Sequence, residues 1–165
     1  MHPGSWHRTA FTLVGALALP LLAHAANYEY ESAADPTGAT LKFSCESEIG
    51  ISSRCRLAFG KGPQGQSTPT TFTSAPDYLM ALIREAARKS LESPSPKAPP
   101  FSDQDRAALA QVNLTGKSCF SSVEMSDLLV ACSPQDSSRE QAVLFIRGLC
   151  DGCSFDPIPI KRVKK

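Results

Sequence analysis

The chain has 165 residues, 42% of them hydrophobic and 20% charged, with 17 Lys and Arg against 16 Asp and Glu. That near balance gives no global field for nucleic acid or an anionic membrane, and the length suits one core. His2, His7, His24 and the single Trp6 all lie in the first 25 residues, so everything that follows lacks imidazole and indole.

In chain order, Arg8 precedes the uncharged run from Ala10 to Leu22, and Ala23-His24-Ala25 follows as a small-residue cleavage site. This order marks residues 1–25 as a secretory signal peptide, with cleavage after Ala25 as the first choice and after Ala26 as the second. The run is short of the roughly 20 apolar residues that span a bilayer, and Gly15 and Pro20 interrupt it. Removing the leader takes Arg8 with it and leaves 16 basic residues against 16 acidic ones in a single domain, 26–165. The expected destination is the bacterial periplasm or the exterior, with no transmembrane segment after cleavage. Glu29, Glu31 and Asp35 make the start of this domain acidic, and no function attaches to them from sequence.

All six cysteines fall in the exported part, and an even count there reads as a disulfide framework. Alternation of apolar and polar residues around each one selects local pairs. Leu41-Lys42-Phe43-Ser44-Cys45 and Cys55-Arg56-Leu57-Ala58-Phe59 form a hairpin if Gly50 lies in its turn. Cys45 then faces Cys55, Phe43 faces Leu57 and Leu41 faces Phe59. Residues 60–74, rich in Gly, Gln, Pro and Thr, read as a long loop with Phe72 as its one large apolar group. Ser74-Ala75-Pro76-Asp77 signals a helix start, and the helix runs to Glu92 with Leu79, Leu82, Ile83, Ala86 and Ser90 on one face. Arg84, Glu85, Arg88 and Lys89 lie mostly on the opposite face.

Four prolines make 93–101 a loop. Ser102-Asp103-Gln104-Asp105 caps a shorter helix to Val112. With residues 124–127 as a loop, Cys119 faces Cys132 and Ser121 faces Val130 in a second hairpin. Cys150-Asp151-Gly152-Cys153 centres a third, because Asp-Gly suits a two-residue turn with positive φ at both positions. That turn sets Arg147 opposite Asp156, Phe145 opposite Ile158 and Val143 opposite Ile160. Pro157 and Pro159 then turn their missing N–H groups to one side, as on an edge strand. The basic residues of 161–165 form a tail.

The expected fold is therefore α+β: a mainly antiparallel sheet of three disulfide-bearing hairpins, with one long and one short helix on one face. Without histidine there is no Ser-His-Asp or Cys-His nucleophile pair, and with all six thiols oxidised no thiolate remains. The acid pairs Glu46/Glu48 and Asp103/Asp105 are the remaining candidates for glycoside hydrolysis, yet a loop and a helix start account for both. No enzyme activity, cofactor or metal is expected. Exclusion leaves a non-enzymatic protein-binding domain, of the kind that serves as an inhibitor or immunity factor, with another envelope or secreted protein as partner. Phe72, Arg84, Arg88 and Lys89 are the candidate contact residues. Two alternatives stay open: a thiol redox or metal-handling protein using Cys150 and Cys153, and a structural envelope component tethered by its basic tail.

Overall fold

The computed structural model describes residues 28–60, 69–93, 101–116, 118–124, 128–134 and 140–163. The leader and its cleavage site lie outside these, as do 61–68, 94–100, most of the 124–127 turn and the last two residues. Eight strands follow the chain: β1 (Tyr28–Ser32), β2 (Leu41–Cys45), β3 (Arg54–Phe59), β4 (Thr70–Ser74), β5 (Cys119–Ser122), β6 (Leu129–Cys132), β7 (Gln141–Arg147) and β8 (Phe155–Arg162). Helices α1 (Asp77–Glu92) and α2 (Asp103–Thr115) are inserted between β4 and β5. Every strand pairs antiparallel with its sequence neighbour, and β8 pairs with β1, so the sheet is a closed barrel. This overturns the open α+β sheet expected from sequence. The three hairpins exist as β2–β3, β5–β6 and β7–β8, but β1 and β4 join them edge to edge.

Closure divides the apolar residues into two cores. Tyr30, Leu41, Phe43, Leu57, Phe72, Leu129, Leu144 and Ile160 fill the barrel, while Val130, Val143, Phe145 and Phe155 point outward against Leu79, Ile83, Leu109 and Val112 of the helices. Strands β6 and β7 are thus covered on both faces, which is why Leu129–Cys132 and Ala142–Phe145 are buried without alternation. On the uncovered side, Lys42, Arg54 and Arg56 are exposed and point outward. A lipid-facing barrel would present apolar side chains there. Among the described residues no helix is long and apolar enough to cross a membrane.

Two registers match the sequence reading: Cys45↔Cys55 with Phe43↔Leu57 and Leu41↔Phe59, and Cys119↔Cys132 with Ser121↔Val130. Both cysteine pairs are disulfides with Cα atoms 4.1 Å apart. The Glu46 N–H donates to the Arg54 carbonyl (3.0 Å) and the Ser133 N–H to that of Ser118 (3.0 Å). These neighbouring bonds place each cysteine pair at a non-hydrogen-bonded position, where the strands approach most closely. One bridge lies inside the barrel and the other beneath the helices.

The third register is displaced by one residue. Cys150 and Cys153 are bridged, and the Cys153 N–H donates to the Cys150 carbonyl (3.1 Å). Only Gly152 has positive φ (79°), however, and Asp151 does not. The expected turn needs it at both, so the ladder resumes at Arg147↔Phe155 with an extra residue on the β7 side. The slip sets Ile158 and Ile160 opposite Leu144 and Ala142, facing inward, and Pro157 and Pro159 opposite Phe145 and Val143, facing outward.

Other corrections are local. Ser74 ends β4 instead of capping α1, whose N-cap is Pro76 with no side-chain bond. Helix α2 has the expected Ser102–Asp105 capping box but runs on to Thr115, ending at Gly116 in the left-handed region (φ 57°). Lys161 and Arg162 belong to β8 rather than to a tail. Phe72 is not a loop residue: it is 1% exposed and meets Phe43 edge-on, ring centroids 5.9 Å apart. Phe72→Ala is therefore expected to cost about 3–5 kcal/mol in urea unfolding. A loss below about 0.5 kcal/mol, the usual effect at a free surface, would contradict its place in the barrel.

Candidate functional site

The residues expected to contact a partner do not form a patch. Phe72 is sealed in the barrel. The Arg84 guanidinium lies over Gly116, where an added Cβ would strike it, so it packs on the C-terminus of α2, the end that attracts cations. Arg88 is paired with Glu85 (2.6 Å) and with Glu92, and Lys89 reaches the same Glu85 (3.5 Å). The basic face of α1 is thus largely neutralised by its own helix, through exposed i,i+3 and i,i+4 pairs worth only a few tenths of a kcal/mol each.

A cleft between β1 and β8, bordered by both helices at Ser90 and Asp105, has a structural cause. Odd-numbered residues of β8 turn their backbone polar groups toward β1, as the Val163 N–H does toward the Glu29 carbonyl (2.8 Å). The pairing runs Tyr30↔Arg162, Glu31↔Lys161, Ser32↔Ile160 and stops. In the next hydrogen-bonded rung an N–H on Pro159 would donate to Ala33, and in the one after, an N–H on Pro157 to Asp35. Neither exists. The Ala33 carbonyl instead accepts the Ser32 hydroxyl (2.9 Å), and the Asp35 N–H donates to Ala39 (2.8 Å) inside a turn. The β1–β2 connection therefore peels away from β8.

The opening has a volume of about 860 Å³. It passes from the barrel rim, lined by Leu41, Phe59, Asp156 and Ile158, to the outer face beside the helices, lined by Pro157, Pro159, Phe101 and Asp105. Phe59 is 52% exposed there. Among the described lining residues, four carboxylates (Glu31, Asp35, Asp105, Asp156) stand against one ammonium, Lys161.

Three of those carboxylates have structural work. Glu31 accepts from the Thr40 hydroxyl (2.7 Å). Asp35 accepts from the Thr37 hydroxyl (2.7 Å) and from the N–H groups of Thr37 (2.8 Å) and Ala39 (2.9 Å). The Thr37 hydroxyl, then these amides, hold its carboxyl below the usual range, so it stays ionised further into acid. Asp105 closes the α2 capping box and meets Lys161 at 3.7 Å. Asp156 is exposed and pairs with Ile146 through the ladder, while its carboxylate has no hydrogen bond or ion pair to the described residues.

Among the described residues no three His, Cys, Asp or Glu are grouped to hold a metal ion. Asp103 is exposed, and Asp105 is committed to its cap and to Lys161, so that pair forms no acid–base couple across a shared site. Sequence reading did not identify the cleft. Its one signal was the Pro-x-Pro spacing, which reads as an edge device until β1 is recognised as a strand. No protein-family model, curated protein or solved structure matches this chain.

Pro159→Ala is expected to restore one rung of the seam. The amide introduced at position 159 should then be protected from hydrogen exchange well beyond an exposed loop amide. Exchange at the loop rate would show that proline is not what ends the β1–β8 ladder.

Proposed function

We propose that this chain is an exported, non-enzymatic protein-binding domain of the inhibitor or immunity type, acting in the cell envelope, and that the cleft between β1 and β8 is where it holds its partner. The observation that carries this reading is the interrupted seam. It gives an apolar groove with polar margins, set in walls braced by barrel pairing and by the packed helices. The barrel itself is occupied by its own side chains, Phe43, Phe72, Leu144 and Ile160 among them, so binding is assigned to the wall and rim. The leader pattern and the three cysteine pairs support export. The redox alternative gains less support. Cys150 and Cys153 span a hairpin turn, whereas a reactive pair of this kind draws its lowered thiol pKa from a helix N-terminus.

A photo-crosslinking residue at position 59, on the cleft rim, tests the reading against one at position 56, exposed on the same strand but outside the cleft lining. In the protein's native envelope, a defined protein adduct should form from position 59 and not from 56, on a chain whose N-terminus is Ala26. Adducts from position 56 alone, or none from either, would remove the cleft as the partner site.

A further inference from the structure

Resting on that reading, we infer that the occupant of the cleft is a basic, extended segment of the partner protein, with a lysine or arginine side chain as its anchor. Where β8 borders the cleft, Pro157 and Pro159 supply no N–H, while strand parity turns the Pro157 carbonyl toward the gap. Asp156 adds a carboxylate that no described residue engages. Apart from the Lys161 ammonium, which meets Asp105 at 3.7 Å, the border of the groove at β8 therefore offers acceptors, and a guest must bring the donors. Lysine and arginine side chains have donors only.

Charge and shape agree with this. Four carboxylates against one ammonium give the described lining an acidic balance in a chain that is neutral once its leader is removed. Leu41, Phe59, Phe101, Ile158 and the two prolines form an apolar surface on which the methylene stem of lysine or arginine can lie while its head reaches Asp156. An isolated amine would fill little of about 860 Å³. A groove that continues from rim to outer face suits a chain crossing it. The missing N–H groups also oppose ordinary strand addition at β8, so side-chain recognition dominates over β-ladder formation.

The test uses the full mature protein and a peptide series with one apolar framework whose central residue is Lys, Arg, Gln or Glu, with free cadaverine as a small amine. Binding is followed by NMR shifts at Leu41, Phe59 and Ile158. The Lys and Arg peptides should bind about tenfold or more tighter than the Gln peptide, the scale of one charge-assisted hydrogen bond, and should weaken as salt rises. Asp156→Asn should erase most of that preference, while Arg56→Ala leaves it intact. Equal binding of Gln and Lys peptides overturns the basic anchor but keeps the cleft as a binding site. Cadaverine matching the peptides overturns the extended segment. No shift at the cleft with any ligand overturns the cleft reading itself.

Discussion

The structure depends on backbone hydrogen bonding across strand edges. Each of the hairpins β2–β3, β5–β6 and β7–β8 leaves two edges, and an open edge both wastes donors and invites association. Strand β4 pairs Thr70 and Thr71 with β3 and Phe72–Ser74 with β5, and β1 joins β2 to β8. Closure follows from these two short strands, although neither carries much apolar surface. The same requirement explains the cleft. Where β8 has prolines instead of N–H groups, the ladder cannot continue and the wall opens.

Closure also explains the placing of the helices. A barrel with a packed interior still has an outer surface, and here the wall from β5 to β8 is apolar enough to need a cover. Helices α1 and α2 supply it with Leu79, Ile83, Leu109 and Val112, so β6 and β7 separate two cores. The disulfides follow that division, with Cys45–Cys55 in the inner core and Cys119–Cys132 in the outer one. Each bridges the two strands of its own hairpin, where chain-entropy arguments give about 3 kcal/mol for loops of this size.

Local pairing was legible where a pair of cysteines fixed the register, and in β2 and β3 strict alternation fixed it as well. Phe43 opposite Leu57 and Ser121 opposite Val130 are the clearest cases. The parts that were not legible depend on nonlocal partners. Tyr28-Glu29-Tyr30-Glu31-Ser32 alternates, but charge dominates its appearance, and Thr70–Ser74 has one large apolar residue that a loop would equally allow. Without those strands, three hairpins read as an open sheet and Pro157 and Pro159 as guards of a free edge. At Cys150–Cys153 the composition was right for a tight turn, yet Asp151 kept an ordinary φ and shifted the register by one. On α1 the acid Glu85 was legible within the basic face, but its pairing with Arg88 and Lys89, and that of Glu92 with Arg88, depends on rotamers that residue order does not give.

The β1–β8 seam is thus closed at one end and open at the other. Cross-strand Hα–Hα NOEs report this directly, since such protons approach closely at non-hydrogen-bonded pairs. Contacts are predicted for Tyr30 with Arg162 and for Ser32 with Ile160, and none for Ala34 with Ile158, the next pair that a continuous ladder would form. Absence of the first two would mean that the sheet is open and the barrel wrong. Presence of the third would mean that the seam runs on past Pro159 and that there is no cleft.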